Sequence, residues 1–217
     1  MAIMALAIAA LAHFARYVLL LRNRDVLLSP LVATLATWIA VAASVAAIFA
    51  VVGMALVLTE WLIARRARAF AHHGQPDPRR VLAVRAGCLI PLVNLFWTLV
   101  YVIELAVAED RYPQVRRLLW TWWCYFALST TVSIYATATS FPGSTQGIAD
   151  NTISFVVAYL MAMAAVIMTG RLLFAFERTP VERPVRRWVV VAREDERAAE
   201  RSKSPAEVER GGEEPAA

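Results

Sequence analysis

The sequence predicts an all-α fold: a polytopic membrane helix bundle of four spanning helices, a third hydrophobic segment that is re-entrant or broken by proline, and a disordered, charged carboxy-terminal tail. Three observations carry that expectation. Hydrophobic residues make up 59% of the 217-residue chain, with a mean hydropathy of +0.55, where ordinary soluble domains carry roughly 45–50% apolar residues. They are gathered into blocks of the length that a hydrocarbon core about 30 Å thick requires. The arginines fall between the blocks in unequal clusters rather than evenly along the chain.

The blocks run over 1–21, 31–64, 86–103, 118–139 and 153–176. The first lacks a basic leader region and a small-residue cleavage site, so it reads as a spanning helix and not as a removable signal. The second follows Ser29-Pro30 and ends in the cluster Arg65, Arg66 and Arg68. The third is the shortest and is interrupted by Pro91, which removes a helix hydrogen bond at a depth where no water replaces it. The fourth follows Arg116-Arg117 and begins with Trp120, Trp122 and Trp123 in its first turns, rings that sit at a membrane interface because they join an apolar body to an N–H that seeks water. The fifth ends at Phe176, which sets the division expected here: 1–176 as a transmembrane domain and 177–217 as a cytoplasmic tail. That tail holds ten acidic and nine basic residues, too little apolar surface to order itself.

Loop charge orients the bundle, because cytoplasmic loops carry the excess of Lys and Arg. Five arginines lie between Arg65 and Arg80, and Arg171, Arg178, Arg183, Arg186 and Arg187 flank the last block, while the stretch 141–151 has no base and one acid, Asp150. Both termini are therefore expected in the cytoplasm of a bacterial plasma-membrane, multi-pass protein. Arg111, Arg116 and Arg117 then also lie inside, so both flanks of the third block share one side. A segment with both ends on one side must enter and return; a full-length helix kinked at Pro91 is the alternative.

Two short motifs support this reading. Trp61-Leu62 followed by Arg65, Arg66 and Arg68, then Gly87 and Pro91-Leu92-Val93-Asn94-Leu95, resemble the actinobacterial membrane proteins defined by domain of unknown function 4328. The resemblance covers roughly 36–176 and implies a membrane bundle; it implies no activity.

Candidate site residues fall into two groups. Pro91, Asn94, Glu104, His13 and Arg16 are candidates for a cavity or helix break, since broken helices expose backbone groups at membrane depth and ionisable groups there are costly. The bland readings are that Asn94 caps the half-helix after Pro91 and that Arg16 snorkels; under a functional reading Arg16 would take Glu104 or Asp150 as its internal partner. Glu60, Arg65, Arg66, Arg68 and Arg171 are expected as lipid-headgroup contacts or structural charges, with Glu60 and Arg171 at a similar depth to pair. Gly53 and Gly170 are expected to let helices approach closely, and Ser129, Thr130, Thr131 and Ser133 to bond between helices. His72 and His73 are vicinal and do not form the i, i+4 pair that shares a metal. Cys88 and Cys124 are too few for a disulfide framework or zinc site.

No nucleophile elbow, phosphate loop, zinc-protease motif or redox cysteine pair is present. The expectation is a non-enzymatic platform, without metal or cofactor, that associates with anionic inner-leaflet lipid or with a larger membrane assembly, through a membrane-protein partner or copies of itself. A small transporter or channel with its cavity at the broken third segment is the alternative, and an enzyme acting on lipid headgroups through Glu60, Arg65 and Glu104 the third reading. Nucleic acid is not an expected partner.

Overall fold

The computed structural model describes residues 1–23, 29–141 and 145–178; the expectations for the tail beyond Arg178 lie outside the described residues. The described residues form six helices and no strand: α1 (Ala2–Arg22), α2 (Pro30–His72), α3 (Val81–Leu89), α4 (Val93–Ala108), α5 (Tyr112–Ala138) and α6 (Thr145–Glu177). Pro30 opens α2 at a first-turn position where its missing N–H costs nothing. Gly74, with φ of +69°, closes the same helix in the left-handed conformation that glycine adopts without penalty.

At 43 residues, α2 is ~65 Å long, about twice the thickness of a hydrocarbon core. Its most apolar stretch is only 6% buried inside the fold, and Trp38, Phe49 and Val57 stand exposed along it. An apolar surface of that extent belongs in lipid or against a partner. Among the described residues three helices are long and apolar enough to cross a membrane, α1, α2 and α6. The 27-residue α5, expected as a further span, is less apolar, because its first turns carry Arg116 and Arg117 and its length is rich in Trp, Tyr, Thr and Ser.

The third hydrophobic block is two helices of nine and sixteen residues, each shorter than the ~20 residues that a crossing needs. The break sits at Pro91. Ile90, which precedes it, is extended, as the residue before a proline prefers, and Leu92 takes φ of +67°, a positive value that a residue other than glycine rarely adopts. The chain then reverses. Arg79 meets Glu104, the Tyr101 hydroxyl donates to the Ala83 carbonyl at 3.1 Å, and Gly87 faces Trp97 and Tyr101; contacts in that order require α3 and α4 to run antiparallel. They form a helical hairpin, and the full-length kinked helix is excluded.

Glycine is required at position 87. A Cβ there would lie 2.7 Å from the Tyr101 ring and 3.1 Å from Trp97 Cβ. Gly53 and Gly170, expected to bring helices together, do not: a Cβ on either would meet nothing within 4 Å.

α5 and α6 are antiparallel along their length. Asn151 donates to the Ala136 carbonyl at one end, the Trp122 indole donates to Thr169 Oγ1 in the middle, and Arg111 donates to the Ala175 carbonyl at the other. Thr130 and Thr131, expected to bridge helices, bond to carbonyls four residues back in α5 itself. α1 is wedged between α2 and α6, with Leu6 and Ala9 packed among Ala43, Ala47, Tyr159 and Ala162. A second, larger core lies at the other end, among the last turns of α2, the hairpin, the start of α5 and the end of α6.

Candidate functional site

Both arginines that end the second block turn inward. Arg66 is fully buried and Arg65 is 3% exposed. A buried guanidinium persists only where its charge is paired and its donors are used, and both conditions are met. Arg66 donates to both carboxylate oxygens of Asp77 at 3.0 and 2.9 Å and to the Tyr101 carbonyl at 2.9 Å, and lies 3.0 Å from Glu104. Arg65 grips Glu109 with two bonds of 2.6 and 3.0 Å and donates to the Phe176 carbonyl at 2.8 Å. Arg111 adds bonds to the carbonyls of Ala175 and Phe176. The last turn of α6, whose carbonyls have no partner within the helix and carry the negative end of its dipole, is thus capped by two cations.

The same charges close the hairpin. Arg79 holds Glu104 at 2.6 Å, and its backbone N–H donates to Asp77. Burial opposes the charge of Asp77, but the Arg66 hydrogen bonds, the Arg79 N–H and the two neighbouring cations outweigh it and hold the carboxyl below its ordinary range. The Glu104 hydrogen bond holds the Arg79 guanidinium above its ordinary value. Arg66 therefore ties the loop before α3 to the end of α4, which places both mouths of the hairpin at one end of the bundle.

Beside the hairpin is a cavity of about 210 Å³. No Cα of α2 comes within 8 Å of one in α6, although α1 joins them farther up. Val51 both packs against the α1 core and lines the cavity, so the space opens where α1 stops. Its floor is Trp61 set edge-on to Phe176, with Arg65 beneath both rings. Its walls are mostly apolar, and the polar side chains on them include Asn94, Thr98 and Cys88.

The structure separates residues that the sequence grouped. Asn94 lines the cavity, but it does not cap α4: Leu92 is the cap residue, no side chain bonds there, and Asn94 sits one position inside the first turn. Its carboxamide has no hydrogen-bond partner among the described residues. Pro91 is the exposed tip of the hairpin and is not a lining residue. Glu104 belongs to the Arg66–Arg79 pair, not to the cavity, because two cations compete for it at the mouth of the hairpin. His13 lies on α1, with Nε2 3.0 Å from Ser44 Oγ and its ring stacked on Phe155. Arg16 is half-buried and pairs with neither expected acid, since Glu104 is in the arginine network and Asp150 accepts from Gln146.

Glu60 pairs with Arg85 of α3 at 2.8 Å, not with Arg171, which faces outward from α6. Of the two roles expected for Arg65 and Arg66, headgroup contact or structural charge, the burial of both fits the second, because the fold surrounds them. Arg68 is exposed. Sequence reasoning missed the partners Asp77, Glu109, Arg79 and Arg111. The turn Gly74-Gln75-Pro76-Asp77-Pro78 held a usable signal, an acid fixed between prolines eleven residues after Arg66.

Residues 24–178 match the sequence pattern of one family, described as a domain of unknown function (DUF4328). No curated protein and no solved structure matches the chain.

Proposed function

The chain belongs to the DUF4328 family, whose pattern covers more than half of it, and on that premise we propose that it is a four-span, non-enzymatic plasma-membrane platform that gathers anionic lipid around its cytoplasmic end. The observation that carries this reading is a division among the arginines of one end. Arg65 and Arg66 are buried in ion pairs, whereas Arg68, Arg80, Arg116, Arg117, Arg171 and Arg178 are exposed around the same end. Each charge near an anionic leaflet is worth about 1 kcal/mol.

Four spans follow if α5 accompanies α6 across the bilayer, and the bonds between them run from Arg111 to Ala136. The hairpin then enters from the arginine-rich side and returns to it, with Pro91 at its deepest point. α1 starts in that half of the bundle, and α6 ends there, which supports both termini in the cytoplasm. A transporter built on Asn94, Glu104 and His13 has less support, because only Asn94 reaches the cavity.

The test is the lipid that accompanies the protein when it is extracted with its surrounding bilayer in polymer discs. Phosphatidylglycerol is expected above its bulk fraction, falling to bulk when Arg68, Arg80, Arg116 and Arg117 are replaced by Gln. Bulk composition around the unaltered protein would overturn the reading.

A further inference from the structure

We propose that the cavity between α2 and α6 is a binding site for a neutral, lipid-soluble amphiphile: a small apolar body with one hydrogen-bonding oxygen, taken in sideways from the bilayer. This rests on the membrane placement proposed above but not on contact with anionic headgroups.

Three observations point to that class of ligand. The first is size and lining. An apolar cavity of 150 Å³ takes up benzene, so about 210 Å³ accommodates by proportion about eight carbons. The second is the unused carboxamide of Asn94. Asn94 is partly buried and lines the cavity, so its N–H groups are available for a ligand oxygen to accept from. Thr98 and Cys88 stand near it on the hairpin wall, so the polar side of the ligand would face α3 and α4 and its apolar side Leu58, Phe126 and Leu173. A charged ligand is disfavoured there, because every ionised group nearby is already committed to the network beneath the floor.

The third is the entrance. The gap lies between the first turn of α1 and the floor where Trp61 and Arg65 of α2 meet Phe176 of α6. Val57, next to lining residue Leu58, is 70% exposed, and Phe174, next to lining residue Leu173, is 67% exposed. Both rims of the gap therefore carry apolar side chains on the lipid-facing surface, and a molecule dissolved in the bilayer reaches the cavity without crossing water.

The experiment uses the full chain in phospholipid nanodiscs with two photoactivatable probes, an octanol bearing a diazirine and the matching alkane without the hydroxyl. The alcohol is expected to label peptides containing Met54 to Leu62 and Thr169 to Phe176 saturably, with unlabelled octanol displacing it. The alkane is expected to label them more weakly. Ala55→Trp, which fills the space, should lower this labelling roughly tenfold while leaving labelling of the lipid-facing Trp38 to Phe49 peptide unchanged, and Leu173→Trp is the second filling variant should the first not assemble. Asn94→Leu should remove the preference for the alcohol over the alkane. Labelling that does not saturate, that survives both filling variants, or that never distinguishes alcohol from alkane overturns the proposal. Because both probes are neutral, these outcomes are independent of phosphatidylglycerol enrichment, which tests the headgroup reading alone.

Discussion

Where α1 meets α2 and α6, Ala9 and Ala47 are buried to 0% and 1% exposure and the helices touch through small side chains; at the opposite end the largest fully buried side chain is Arg66. The contrast follows from the solvent. Lipid offers no hydrophobic drive to bring helices together, so the α1 end depends on close van der Waals contact between small residues. Such contact is weakly directional. The arginine-rich end has to fix a hairpin of two helices too short to cross, and it does so with ion pairs whose geometry admits one arrangement: Arg66 on Asp77 and Glu104, and Arg65 on Glu109. Buried pairs of this kind are poor stabilisers relative to apolar packing, yet losing one partner is expensive. The two ends should therefore respond differently to mutation.

The largest effect is expected from Arg66→Leu. It removes both side-chain bonds to Asp77, which keeps only the Arg79 N–H, and leaves Glu104 with Arg79 alone; breaking a buried pair costs about 3–5 kcal/mol. The hairpin should undock, lowering the melting temperature in detergent and opening Cys88, now buried, to maleimide in a Cys124→Ser background. An unchanged Cys88 labelling rate would mean that the hairpin is held by packing instead, as the α1 end is.

Gly87→Ala comes next. Its methyl group would press on the Tyr101 ring and Trp97, and overpacking of this kind costs about 1–3 kcal/mol. Thermal unfolding should show a loss at position 87, while Gly53→Ala, with open space around it, should show none.

Acid sharpens the contrast further. The Asp77 carboxyl titrates below its ordinary 3.8 in the folded chain, so its contribution is full above that value and is lost as pH falls through the lowered one. Unfolding followed from pH 7 downward should be flat until the acid limb. Asp77→Asn should be less stable at neutral pH and lack part of that limb.

The smallest effect belongs to Arg85→Ala. The Arg85–Glu60 pair is half-exposed on both sides, and exposed pairs contribute little. A shift as large as that of Arg66→Leu would show that exposure does not separate structural from dispensable pairs here.

How much of this was legible before the fold was known varies with the range of the interaction. Pro91 announced the break because its effect is local, and the arginine distribution implied that both ends of the third block share a side. The burial of Arg65 and Arg66 was not legible. A run of arginines after an apolar block reads as a solvated face, and their acids lie 11 to 44 residues away. Asn94 was placed at the cavity but misread as a cap, since the cap position is set by the backbone turn at Leu92. α5 shows the limit of composition: the block 118–139 was legible as a helix, but its Trp, Tyr, Thr and Ser content leaves it less apolar than α1, α2 and α6.

The central claim is that the Pro91 hairpin enters and leaves on one side of the membrane. Single cysteines at Gln75, Asp110 and Gln146, in a chain lacking Cys88 and Cys124, can be challenged with an impermeant maleimide applied from one face of sealed vesicles. Positions 75 and 110 are expected to react from the same face and position 146 from the other. Labelling of 75 and 110 from opposite faces would contradict it.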